Sequence, residues 1–400
     1  MKAISAMRVL AWVVVMAAVA MVDHALAVEG KAYVSTLGGK KLLIVDLETN
    51  AITKTIEMFA GSCSDPYIND MEIIGTKLFL GVPGCGYSEQ NQVTVVDLAT
   101  EEVVNTIATG RIPTGMKEYG GKLYVVCRYA GKIQEIDPVS ESITREITWA
   151  TPPANAPLYL EIVNGKMYLA CPGSGGTAGE IQVIDLTSGS LIRRISYSTV
   201  DTYGPAQITH VGGNKLYLGS YYQTGIFDLS TETLTGSIAI NDAKSYVAMD
   251  GKVYAPTGMS TVAVVDLAAN AVTKTIDVGA HPGSYHGSVG AAVLENMVCV
   301  TDSGQGVRIV DTATDTLSHT IASSELVSAI EVQGVQAAFG RAYTSTLGGK
   351  KVMVANLDSS SFTKTIDMFT ESCSEPYIND LEIIGGKLFA GVPGCAYSER

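Results

Sequence analysis

Apolar and polar positions alternate along most of this chain in short runs, each bounded by Gly, Asn, Asp or Ser. A period of two over roughly 4–7 residues is the mark of a half-buried strand, and no stretch carries the spacing of an amphipathic helix. The runs also recur. A phrase of the form Lys-Leu-Tyr-Val stands at Lys31–Val34, Lys77–Leu80, Lys122–Val125, Lys166–Leu169, Lys215–Leu218, Lys252–Ala255, Met297–Val300 and Arg341–Thr344. Each is followed by an apolar phrase ending in Asp46, Asp97, Asp137, Asp185, Asp228, Asp266 or Asp311, with Asn356 in the last copy. A Thr-Lys-Thr-Ile phrase comes next, as at Thr53–Ile56 and Thr273–Ile276, or looser forms such as Asn105-Thr106-Ile107. A fourth apolar stretch ends in Gly or Asn and leads into the next Tyr phrase.

Four short strands in every ~44 residues predict an all-β fold, a β-propeller of four-stranded blades. The repeated aspartate falls where the third strand turns into the fourth. A carboxylate there caps turn N–H groups. One such residue in every blade makes a ring of turn caps, not one catalytic or metal site.

The phrases resemble the YVTN-type β-propeller repeats of YncE-like and surface-layer-associated proteins, over nearly all of 31–400. The chain departs from that pattern in often lacking a Pro-x-Gly lead into the inner strand, and in replacing the Asn of YVTN throughout. The resemblance implies a seven-bladed propeller outside the cytoplasm and no single chemistry.

How the ring closes is open at this level. Residues 31–90 recur as 341–400, displaced by 310 positions, with 39 of 60 residues identical. One arrangement is a seven-bladed ring over 28–340, followed by 341–400 as the start of a second, incomplete propeller copy. An eight-bladed closure counts strands differently, with Tyr377–Ile384 pairing Lys31–Ser35. In a third, the last copy displaces the first, because a short loop closes at lower entropic cost.

The N-terminus adds a compartment. Lys2 and Arg8, the apolar run Val9–Val22 and the Ala25-Leu26-Ala27 end predict a signal peptide over 1–27, cleaved near Ala27. The mature chain is therefore expected to be extracytoplasmic: periplasmic, secreted or at the cell surface. No later apolar run approaches the ~20 residues of a membrane span, so no transmembrane segment is expected. A formal net charge of -13 argues against a nucleic-acid partner.

Seven cysteines contain neither C-x-x-C nor C-x-x-C-H, which excludes zinc ribbons and covalent c-type haem. Cys63 and Cys85 fall in two loops on one face of a propeller. A Cys63–Cys85 disulfide is expected there, with Cys373–Cys395 repeating it. Cys127 and Cys171 share a register, three after the blade tyrosine. They read as small buried residues, with pairing or soft-metal binding as the alternatives. Cys299 replaces the tyrosine itself.

Candidate ligand-binding residues are Asp65, Tyr67, Asn69, Asp70 and Tyr87 on the cysteine-bearing face. Arg111, Tyr203, His281, Tyr285 and His286 join them near the channel mouth. Asp65, Asn69 and Asp70 lack EF-hand spacing and read as loop hydrogen-bonding groups, with calcium as the alternative, and no other cofactor or metal is implied. Loop tyrosines at Tyr87, Tyr129, Tyr203, Tyr221 and Tyr222 suit a protein, glycan or small-molecule ligand. The function expected is a binding module with no assigned reaction. The alternative is a propeller enzyme, lyase or lactonase-like, with His286 or His210 as general acid/base.

Overall fold

The computed structural model describes residues 30–36, 41–58, 68–83, 91–148, 156–173, 178–279, 290–302, 306–323 and 327–334, with Ile330 the one side chain placed in the last segment. It also describes the backbone of 341–345, 351–356, 361–367, 380–384 and 387–391. The signal-peptide segment lies outside the described residues.

Strands of four antiparallel phrases form each blade, in sequence order from the centre outwards. Blades 2 to 7 occupy 70–108, 113–148, 159–196, 209–238, 247–277 and 291–322. Blade 1 is composite. Gly30–Thr36, Lys41–Asp46 and Ala51–Glu57 take their inner strand from Val327–Gly334, with Tyr33 opposite Glu331. Each inner strand touches the next around a closed circle, Val327–Gly334 meeting both Asp70–Ile74 and Ala291–Leu294. The protein is a seven-bladed β-propeller. Lys31–Ser35 is thus paired within the ring by Val327–Gly334, which corrects the eight-bladed closure; here the first copy holds the closing place.

Core side chains lie between blades. Tyr33, Leu42 and Ile44 of blade 1 pack on Met71, Leu78 and Leu80 of blade 2, and the same sandwich recurs around the ring. Alternation puts one face of each strand on each neighbouring blade, so both faces are apolar in the second and third strands. The outer strands are largely exposed, alternating with solvent in Ser142–Thr148.

The repeated aspartates cap turns as expected. Asp97 accepts the N–H groups of Ala99 and Thr100 at 3.0 and 2.8 Å, and Asp228 those of Ser230 and Thr231. The Ser230 hydroxyl together with these N–H groups holds the Asp228 carboxyl below the usual range, and the Thr100 N–H above all lowers that of Asp97. Four residues on, each turn ends in left-handed backbone, with φ of 50–71° at Asn50, Glu101, Glu141, Gly189, Glu232, Asn270 and Asp315.

That turn residue is also where neighbouring blades are tied. Lys31 and Lys54 of blade 1 engage Glu101 of blade 2. Lys77 and Asn105 reach Glu141, and Lys166 and Arg193 reach Glu232. Lys215 and the Tyr217 hydroxyl both donate to Asn270, at 2.9 and 3.0 Å. Lys252 and Tyr254 donate to Asp315, at 2.7 and 2.6 Å. Where blade 4 has Gly189, Arg145 of blade 3 instead donates to the turn carbonyls of Leu186 and Thr187. Among the described residues, the repeat-phrase lysine is therefore an interblade tie at five seams, joined by Tyr217 and Tyr254, whereas Lys122 and Tyr124 bond Asp137 and Glu135 within blade 3.

The seam from blade 7 to blade 1 has lost them. Met297 stands where the other blades carry Lys, Cys299 where all but blade 2 carry Tyr, and His319 where blades 1 and 6 carry Lys and blades 3 and 4 carry Arg. Its turn residue, Asn50, keeps a buried side-chain oxygen with no hydrogen-bond partner among the described residues. Met297→Lys is accordingly expected to stabilise the ring by about 1 kcal/mol, the net worth of one new hydrogen bond. Urea denaturation checks it. The gain should vanish in an Asn50→Ala background, and a gain that persists would refute the pairing.

Candidate functional site

Loops joining the second strand to the third, and each blade to the next, emerge on one face of the ring. Two groups of exposed aromatics stand there. Tyr203 lies between blades 4 and 5, and Tyr221 and Tyr222 lie between the second and third strands of blade 5. Ring centroids of Tyr221 and Tyr222 are 4.7 Å apart at 88°, and Tyr203 sits 5.6 and 5.7 Å from them. All three remain half exposed. Rings this close are in contact, so no cation fits between them. The group is a half-exposed platform of three mutually packed rings.

One buried carboxylate assembles it. Asp201 accepts the N–H of Tyr203 at 2.8 Å, the N–H of Tyr222 at 3.0 Å and the Ser220 hydroxyl at 2.8 Å. Two loops about twenty residues apart are thereby fixed to one side chain. Tyr197 anchors the start of the same loop, donating to the Leu218 carbonyl and accepting the Gly225 N–H. The loop's other flank meets blade 4 at Gly204, where φ is +73° and a Cβ would lie 2.5 Å from the Gly179 Cα. Only glycine allows that approach.

The second group is on blade 3. Tyr129 is exposed, with the guanidinium carbons of Arg111 and Arg128 at 5.5 and 5.4 Å from its ring centroid. It gives a strongly acidic protein a local cationic spot.

The channel mouth is organised differently from the expectation. An inner strand is a sheet edge whose outward N–H groups need acceptors. Carboxylates of the preceding blade supply several of them. Asp70 accepts the N–H of Met71 at 3.0 Å and, across the blade boundary, that of Met116 at 2.7 Å. Glu72 accepts the N–H of Glu118 and faces Lys117 at 3.6 Å. Glu161 accepts the N–H of His210 at 3.0 Å. Burial pushes the Asp70 carboxyl up to about 7 and raises that of Glu72.

Of the sequence candidates, Asn69 donates to the Pro113 carbonyl at 2.6 Å, and both oxygens of Asp70 are engaged by backbone. A ring nitrogen of His210 lies 3.0 Å from the Gly213 carbonyl oxygen in its own hairpin. Arg111 packs on Tyr129, and Tyr203 on Tyr221 and Tyr222. Asp65, Tyr67, Tyr87, His281, Tyr285 and His286 lie outside the described residues, as do Cys63, Cys85, Cys373 and Cys395. Cys127, Cys171 and Cys299 are free and buried, and burial pushes the Cys127 thiol up to about 12. Cys127 and Cys171 do not pair. Among the described residues, no group of three His, Cys, Asp or Glu could hold a metal ion, and no helix is long and apolar enough to cross a membrane. Asp201 and Arg128 were missed in the sequence. Their one sign was an acid two residues before a loop tyrosine and an arginine beside another.

Solved structures share this architecture. A functionally unknown protein from Desulfotomaculum acetoxidans DSM 771 is similar at a TM-score of 0.61 and 14% identity, over 76% of this chain and 99% of that one. Apo AztD from Citrobacter koseri gives 0.57 and 12%, over 77% and 98%. The WD40 β-propeller domain of Doa1 gives 0.51 and 12%, over 73% and 90%. The likeness is one of fold alone. No protein-family model matches the chain, and none of the curated proteins does.

Proposed function

We propose that this protein is a binding module of the YVTN propeller type that works outside the cytoplasm and recognises its ligand on the loop face. The observation that carries the reading is the Tyr203–Tyr221–Tyr222 platform, held half exposed by a buried Asp201. Ordering large aromatic side chains at the surface forgoes their burial, and a fixed amphipathic face is what stacking and hydrogen bonding to a glycan, protein or small ligand use. The Arg111–Tyr129–Arg128 group extends the same face. In this reading the signal peptide delivers the chain, the Cys63–Cys85 loops add to the rim, and 341–400 opens a second copy of the ring.

The test is retention of the purified chain on immobilised glycans and on extracts of cell-surface protein, compared with Tyr221→Ala/Tyr222→Ala. Loss of retention by at least tenfold, with the melting temperature unchanged, is the expected result. Retention indifferent to both tyrosines, or none on any surface, would overturn the assignment.

A further inference from the structure

The duplicated segment folds into the same piece of blade a second time. Arg341–Ser345, Lys351–Asn356 and Ser361–Asp367 form a three-stranded antiparallel sheet. Its register matches blade 1 pair for pair: Arg341 faces Asn356 as Lys31 faces Asp46, and Lys351 faces Asp367 as Lys41 faces Glu57. Even the bulge between the third and fourth strands of a blade is repeated, at Val354/Ala355 as at Ile44/Val45. What differs is the inner strand. Blade 1 has Val327–Gly334, whereas among the described residues nothing pairs the inner edge of Arg341–Ser345.

We propose that this open edge is an interaction surface for the chain's own strand Val327–Gly334, so that 341–367 competes with 30–57 for the closing place in the ring. Three observations carry it. Keeping the present register, with Gly340 taking the place of Gly30 opposite Gly334, needs a hairpin loop of only 335–339. Five residues is within ordinary hairpin lengths, and so short a loop closes at less entropic cost than one spanning the whole ring. Second, of the two seams that must open, the one to blade 2 carries Lys31 and Lys54 on Glu101, while the one from blade 7 lacks such ties, since blade 7 offers Met297, Cys299 and His319 to blade 1. Third, the resident turn residue fits that seam poorly, Asn50 being left with an orphaned oxygen, and the copy carries Ser360 at the same position. Towards blade 2 the copy retains cations, Arg341 and Lys364, at the register positions of Lys31 and Lys54, which tie to Glu101.

Cysteine pairs across the two alternative ladders test the exchange. Val332 faces Ala32 in the ring and would face Ala342 after exchange. The full-length double variants Ala32→Cys/Val332→Cys and Val332→Cys/Ala342→Cys are oxidised, digested and read by mass spectrometry. Both are expected to link within one chain, the second at 10% or more of the first, and Asn50→Ser should raise the share of the first. A 332–342 pair that stays reduced, or links only between two chains, would overturn the proposal. Amide exchange on the unsubstituted protein gives an independent reading. Partial protection in both 30–36 and 341–345 is expected, and full protection of the former with none in the latter refutes the competition.

Discussion

Asp201→Ala is expected to destabilise the protein by about 3 kcal/mol and to abolish ligand retention on the loop face. The carboxylate accepts three hydrogen bonds, from the N–H groups of Tyr203 and Tyr222 and from the Ser220 hydroxyl, and is itself only 5% exposed. Alanine leaves the two backbone donors facing a small cavity, while the Ser220 hydroxyl can turn to the Gln223 carbonyl at 2.6 Å; each unpaired donor costs roughly 1–3 kcal/mol, least where water can enter. Asparagine keeps one acceptor oxygen but turns an amide N–H₂ towards the remaining donors, so Asp201→Asn should fall between wild type and alanine. The near-ultraviolet circular dichroism of the tyrosines separates this from general loosening. Rings held 4.7–5.7 Å apart couple strongly, and that signal should shrink in Asp201→Ala before any unfolding. An alanine variant that keeps wild-type stability and tyrosine signal would show that the platform does not depend on Asp201.

Such ties are largely invisible along the sequence. Alternation, the Tyr phrase and the terminal aspartate are local, and they sufficed to predict four-stranded blades and turn caps such as Asp97 and Asp228. The blade count needed one long-range fact, that Val327–Gly334 returns to pair Gly30–Thr36, and three closures were open until that pairing was seen. Interblade ties escape for the same reason. Lys31 and Glu101 stand 70 residues apart, and nothing local says that the lysine of one repeat meets the turn of the next. The signal was nevertheless periodic. An Asn, Glu, Asp or Gly follows four residues after every repeated aspartate, at the position that adopts left-handed backbone. Asp70 shows the opposite failing, because a polar residue at the head of an inner strand reads as a ligand-binding group. In the ring its position is explained by the edge N–H of the neighbouring blade.

Asp70 also sets a pH dependence that one substitution isolates. Burial raises its carboxyl to about 7, whereas in the unfolded chain it titrates near the usual ~3.9. The folded protein therefore holds this proton more tightly than the unfolded chain does. The resulting stabilisation is complete below the unfolded value and is lost as pH rises through about 7. Three pKa units correspond to roughly 4 kcal/mol, and the side chain retains some accessible surface, so about 2–3 kcal/mol is the realistic span. Glu72, also raised by burial and held against Lys117, titrates in both wild type and variant, so comparing the two at each pH largely cancels its contribution. Asp70→Asn stays neutral throughout and keeps one oxygen for the Met116 N–H. It should be less stable than wild type at pH 5, having lost the second acceptor without relieving any charge. By pH 8 the deficit should close or reverse, as the wild type takes on a buried carboxylate. Urea denaturation of both proteins at the two pH values measures the change. A difference that stays constant would mean that the carboxylate is solvated well enough to ionise in place, and that the two backbone N–H groups compensate its burial.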